Sequence, residues 1–217
     1  MDINMKKICF LGDSITEGHG ASDREKTSFV ALFAAAHPEA KVLNYGIGGT
    51  RIAAQRIPKE NPKWEQPFYS RVDKMEEGAD LVCVFGGTND YGHGDAPMGK
   101  FGDTTPETFY GALYTLSKLL VERYPMARIA FFTPLHRTGE DVPKKRDDGE
   151  WTQRDYVMAV KRNAEYFSFP VLDLWNVSGL QPALPIIKET YLPDGLHPND
   201  AGYRRLYEIV EQFIRLL

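Results

Sequence analysis

Ser14, Asp194 and His197 are the residues of this 217-residue chain whose types and spacing point most directly to chemistry. A serine hydroxyl is a weak nucleophile until a base takes its proton. Histidine is the usual base, because its unperturbed pKa lies close to neutrality. Of the five histidines, His197 is the one with both a carboxylate at a short fixed spacing before it and a helical pattern just after it. A single turn could aim Asp194 at one ring nitrogen of His197 and leave the other for Ser14, the orienter–base–nucleophile order of a catalytic triad. The plainer alternatives are a helix cap at Ser14 and a Pro-Asp-Gly turn carrying a surface histidine.

Gly49 and Asn89 offer the other part that acyl transfer needs. A tetrahedral intermediate puts negative charge on the former carbonyl oxygen, and preorganised donors must meet it. Glycine lets a backbone amide approach closely, and an asparagine side chain brings N–H donors without a competing charge. Both residue types are also common in ordinary turns.

These residues must be positioned by the elements around them. Short apolar runs at 8–11, 41–45, 81–85, 129–132 and 171–174 read as strands, each flanked by Gly, Pro, Asn or Asp. Helical patterns fall between them: 28–36, 69–77, a helix opened by Thr105-Pro106-Glu107 and running to about 123, and 152–167. A final stripe of Tyr203, Leu206, Tyr207, Val210, Phe213, Ile214 and Leu217 marks an amphipathic helix from about 200. Strands alternating with helices predict an α/β fold with a five-stranded parallel sheet, doubly wound, as one domain over 1–217. In such sheets ligands bind beyond the carboxyl ends of the strands. Ser14, Gly49 and Asn89 each follow a predicted strand, and Asp194 and His197 precede the last helix. The charged stretch 139–150 reads as a solvated surface loop, with a place at the mouth of a site as the alternative.

Gly12-Asp13-Ser14-Ile15-Thr16-Glu17-Gly18 resembles the first conserved block of the SGNH, or GDSL, hydrolases. Asn44 to Thr50 resembles the second, Gly87-Thr88-Asn89-Asp90 the third, and Asp194-Gly195-Leu196-His197 the fifth. The order and spacing agree from Leu11 to Asn199. The resemblance implies a flavodoxin-like three-layer α/β/α sandwich and serine ester hydrolysis with no metal and no cofactor. It implies Ser14 as nucleophile, His197 as base and Asp194 as its partner. The Ser14 and Gly49 amides and the Asn89 side chain would form the oxyanion hole, with a one-residue shift to Gly48 open. Asp13 would shape the turn. An α/β-hydrolase would carry Gly-x-Ser-x-Gly around its serine, and Thr16 stands where the last glycine belongs.

Asp13, Tyr91, His93 and His136 are candidate substrate contacts, because they adjoin these blocks or end the fourth strand. The segment 91–105 is long for a connection, which also suggests substrate contact. His19 and His37 have no supporting context. Cys9 and Cys83 sit inside strand runs and read as small buried hydrophobes. Trp64, Trp151 and Trp175 would line a carbohydrate site or simply pack.

Composition narrows the partners. Hydrophobic residues make up 42% of the chain, charged residues 26%, and the net charge is −4. That excludes a mostly disordered chain and gives no basic footprint for nucleic acid. No apolar run is long enough for a membrane span. The N-terminal apolar run is too short for a secretory signal. A cytoplasmic protein is therefore expected, or a secreted one if a leader preceded this sequence, and the Asn176-Val177-Ser178 sequon carries little weight. The expected substrate is a small ester bearing a short acyl group, foremost acetyl, on a carbohydrate oxygen. A thioesterase or lysophospholipase with a longer acyl pocket, and a catalytically silent binding domain, are the alternatives. Oligomeric state is not readable.

Overall fold

The computed structural model describes residues 5–58 and 61–217; the lead-in at 1–4 and residues 59–60 lie outside the described residues. The chain runs β1 (Lys7–Gly12), α1 (Ser14–Glu17), α2 (Arg24–Thr27), α3 (Phe29–Ala36), β2 (Lys41–Gly46), β3 (Leu81–Phe85), α4 (Thr88–Gly92), α5 (Phe109–Arg123) and β4 (Arg128–Phe132). It continues through β5 (Lys144–Arg146), β6 (Gly149–Trp151), α6 (Gln153–Tyr166), β7 (Val171–Leu172), α7 (Leu174–Val177), α8 (Pro185–Tyr191) and α9 (Asp200–Arg215). Two 3₁₀ turns, Pro62–Trp64 and Phe68–Lys74, lie between β2 and β3.

The central sheet has the order β2-β1-β3-β4-β7 and every pairing is parallel. Alternate side chains of each strand enter opposite cores. Ile8, Phe10, Leu81, Cys83 and Phe85 pack on the side of α3 and α9 with Phe33, Leu206 and Val210. Cys9, Leu11, Val82 and Val84 pack on the other side with Leu113, Leu116 and Val160 of α5 and α6. A sheet buried on both faces reads as near-continuous apolar runs, and these runs are what marked the strands. The result is a three-layer α/β/α fold. Strand order reverses at β1, so a crevice opens between the ends of β1 and β3.

Several elements differ from their sequence reading. The helix predicted from Thr105-Pro106-Glu107 starts at Phe109, capped by Thr108, whose hydroxyl accepts from the Gly111 amide at 3.1 Å. The chain folds back at Thr105, whose carbonyl lies 1.7 Å from where a Gly111 Cβ would stand. Glycine at 111 therefore permits the turn that moves the cap downstream. The predicted helix at 69–77 is the 3₁₀ turn Phe68–Lys74. The fifth strand stops at Leu172, because Leu174 is buried as the first residue of α7. The 139–150 stretch is not a free loop. It holds the β5–β6 hairpin, and Arg146 donates to the Asp90 and Tyr91 carbonyls at 3.0 and 2.8 Å. Its charged, exposed alternate positions gave no apolar strand signal. The 91–105 segment is packed as well: Ala96 and Met98 enter the core, and Asp95 accepts from the Arg56 and Ile57 amides at 2.7 and 2.8 Å. Cys9 and Cys83 are buried free thiols, and burial pushes Cys9 up to about 11. No helix among the described residues is long and apolar enough to cross a membrane.

One buried cation ties the functional edge together. Arg71 donates to the Tyr45 carbonyl at 2.9 Å, the Gly12 carbonyl at 3.0 Å and the Thr50 hydroxyl at 3.3 Å. Those acceptors end β2, end β1 and follow β2. Burial lowers its pKa to about 10, which leaves it charged at neutral pH. Arg71→Met would leave buried carbonyls unsatisfied, at about 1–3 kcal/mol each. Urea unfolding should show a loss of roughly 3 kcal/mol with the slope m unchanged.

Candidate active site

Ser14 opens α1 immediately after β1. Asp13 precedes it as the cap, accepting from the Ile15 amide at 3.0 Å. Burial raises the Asp13 carboxyl to about 7. Enclosed there, Asp13 shapes the turn and does not face the cleft in which its neighbour lies.

His197 reaches Ser14 from the far end of the chain. The Ser14 Oγ to His197 Nε2 distance is 2.9 Å. His197 Nδ1 lies 2.6 Å from Asp194 Oδ2. The other Asp194 oxygen accepts from the Leu196 and His197 amides at 2.9 and 2.7 Å. An ionised carboxylate only accepts, so the ring proton sits on Nδ1 and Nε2 is free to accept from the serine. Burial pushes the His197 pKa below its ordinary value, against the upward pull of Asp194. The imidazole is thus neutral at pH 7. Burial alone would raise the Asp194 carboxyl, but the His197 ring and the two amides together outweigh it and hold it below the usual range.

Gly49 follows β2 with a φ of +76°, in the left-handed region that suits glycine. A Cβ there would stand 2.2 Å from Trp64 Nε1, so the indole lies directly on this glycine. The Gly48 amide donates to Glu17 Oε2 at 3.1 Å. The Ser14 and Gly49 amides have no acceptor among the described residues. Asn89 follows β3 on α4, and its Nδ2 donates to the Thr50 carbonyl at 2.9 Å. An amide NH₂ has two hydrogens, so one remains. Next to it, Asp90 fastens this turn to the second loop by accepting from the Ile52 and Ala53 amides at 3.0 and 2.9 Å.

Ser14, Gly49, Asn89 and His197 line one open cleft of about 440 Å³, with Asp194 behind His197. Of the four candidate substrate contacts, His93 reaches this cleft. Asp13, Tyr91 and His136 are placed elsewhere. Tyr91 is buried in the core beside Tyr156, its hydroxyl bonded to the Gly139 and Val142 carbonyls. His136 is engaged by Glu140 at 2.8 Å and packs at a tilt against Trp175 with ring centroids 3.8 Å apart. The cleft also holds residues that spacing did not single out. Trp64 forms a wall with His93, ring centroids 5.1 Å apart. Buried Arg51 secures that wall by donating to the Trp64 carbonyl at 3.0 Å, with Nη1 3.3 Å from His93 Nδ1. Glu17, His19 and Arg24 line the same cleft. Glu17 lies inside the first motif block and His19 one residue past it, so closeness to Ser14 was the available signal.

The family model described as GDSL-like lipase/acylhydrolase matches residues 10–205. An acetylxylan esterase from Geobacillus stearothermophilus is 28% identical over 91% of this chain and 89% of its own. A solved structure from Lactobacillus plantarum, 29% identical, superposes with a TM-score of 0.83 over 98% of this chain and 97% of that one. A two-domain esterase active on acetylated mannans shares the fold at 19% identity, with a TM-score of 0.64 over 97% of this chain and 49% of that one. With the motif blocks in register over the matched span, the chain belongs to the GDSL-like lipase/acylhydrolase family and is an ester hydrolase of that family.

Proposed function

We propose that the protein removes short acyl groups, foremost acetyl, from the hydroxyls of carbohydrates through an acyl-serine intermediate. The observation that carries this reading is the relay of 2.6 Å from Asp194 to His197 and 2.9 Å from His197 to Ser14 at the floor of an open cleft. Ser14 Oγ bonds to the ester carbonyl carbon while its proton passes to His197 Nε2. The carbonyl oxygen becomes an oxyanion, met by the Ser14 and Gly49 amides and the Asn89 side chain. Each such donor is worth about 3–4 kcal/mol in the transition state. The intermediate collapses by breaking the bond to the alcohol oxygen, which takes the proton from His197. Water then repeats the cycle on the acyl-serine, losing its proton to His197, and the acid departs as Ser14 recovers its hydrogen.

The cleft walls favour a small acyl group and a polar alcohol. Ile47, Trp64 and Leu196 are the large apolar side chains among its described lining, set between Glu17, Arg24, Lys63 and three histidines. A long alkyl chain would lie against charge. The similarity to an acetylxylan esterase supports the same substrate class.

Hydrolysis of nitrophenyl acetate, butyrate and octanoate tests this reading. Acetate should be preferred, and Ser14→Ala should lose on the order of 10⁶-fold on all three. A preference for octanoate would favour a lipase or thioesterase role, and equal rates for wild type and Ser14→Ala would favour a binding domain.

The pH profile tests His197 as base. Neutral imidazole is the active form, so kcat/KM should rise with pH through the His197 pKa and level off near neutrality. Because burial lowers that pKa, the midpoint should fall below 6.5. Asp194→Asn removes the group that pulls it upward, so the midpoint should move lower still while the plateau drops on the order of 10³–10⁴-fold.

A further inference from the structure

His19 lies beside His197 in the lining of the cleft. The two rings meet edge-on, with centroids 4.4 Å apart and planes at 63°. The ring is exposed and lines the cleft. Its backbone is fixed by the buried Tyr203, whose hydroxyl donates to the His19 carbonyl at 2.7 Å and the Ile15 carbonyl at 3.1 Å. Its ring is fixed by Arg24, with Nη2 3.1 Å from His19 Nδ1. A guanidinium only donates, so Nδ1 accepts and the ring proton belongs to Nε2. Arg24 is itself aimed by Glu17 at 3.2 Å, the same carboxylate that accepts from the Gly48 amide. His19 thus presents a defined N–H donor on the edge of its ring away from Arg24.

This step rests on the serine esterase reading above. A base at His197 must hand its proton to the departing alcohol oxygen, so that oxygen leaves next to His197 Nε2. The part of the alcohol closest to the ester oxygen then comes against the ring packed on His197. The geometry points to His19 as a specificity residue whose Nε2–H recognises a hydroxyl on the carbon adjacent to the ester oxygen. The preferred substrates are therefore monoesters of vicinal diols, the arrangement in a partly acetylated sugar ring.

The test compares kcat/KM for wild type, His19→Ala and His19→Gln on three substrates. The first is a methyl pyranoside with one acetyl beside a free hydroxyl. The second is the same glycoside with that hydroxyl replaced by hydrogen, and the third is nitrophenyl acetate. Wild type should favour the hydroxyl-bearing sugar over its deoxy analogue by about ten-fold, the scale of one well-placed hydrogen bond. His19→Ala should shrink that preference to about two-fold or less, and His19→Gln, which keeps an N–H donor, should retain part of it. A preference that survives in His19→Ala overturns the inference, as does a wild type with no preference. An equal fall on all three substrates also overturns it, because the ring would then only position His197. Failure of the esterase reading shows separately, as wild-type hydrolysis of nitrophenyl acetate no faster than that of Ser14→Ala.

Discussion

The 2.9 Å contact between Ser14 and His197 spans 183 residues of chain, and the C-terminal third of the structure has to be arranged so that it can form. One such hydrogen bond contributes about 1 kcal/mol net, far too little to hold the chain ends together. The apolar face of α9 does that work. Tyr203, Leu206, Val210 and Ile214 are all buried against the layer that contains Phe29 and Phe33 of α3. Burying a side chain of this size is worth roughly 1.5–3 kcal/mol. Polar contacts then set the register: Asp200 accepts from the Ser22 amide at 2.8 Å and the Thr27 hydroxyl at 2.7 Å. Packing brings the segments together, and hydrogen bonds decide which residues meet.

Below the cleft, buried ionic groups replace the regular hydrogen bonding that loops lack. Arg71 joins the ends of β1 and β2, Arg51 holds the Trp64 wall, and Asp90 binds the third motif to the second. Arg137 donates to the Thr88 carbonyl at 3.1 Å and steadies the turn that carries Asn89. Burying charge is costly unless every group finds partners. The cost is visible in Asp90, whose carboxyl burial raises to about 6 despite the two amides it binds. These groups sit where loops from different strands converge, and there they hold donors and acceptors in place before substrate arrives.

Much of this was legible in the sequence because it depends on local pattern. The runs around Phe10, Val82 and Phe131 announced strands, since a sheet covered on both faces needs apolar residues at every position. The stripe from Tyr203 to Ile214 announced α9. The motif blocks marked Ser14, Asn89 and the Asp194–His197 turn through short spacings. What was missed depends on contacts between distant segments. Nothing local distinguishes Thr108 from Thr105 as a cap, and the choice falls to the close approach of Thr105 to Gly111. The hairpin at 144–151 carries charge where a strand usually carries apolar residues, because only Trp151 at its end packs against a core while Arg146 braces α4. Tyr91 adjoins a motif, but two positions along a helix is more than half a turn, and its ring lies in the core beside Tyr156.

Two groups of residues that line the cleft are held in different ways. Trp64 lies on Gly49, fixed by the buried Arg51 guanidinium, beside an amide with no acceptor among the described residues. His19, Arg24 and Glu17 are instead held near the surface by contacts with one another. Glu17 belongs to both halves. One of its oxygens pairs with Arg24, and the other accepts from the Gly48 amide, next to Gly49. The same carboxylate therefore ties the loop after β2 to Arg24 and, through Arg24, to the ring of His19, so a change at Glu17 would loosen both segments together.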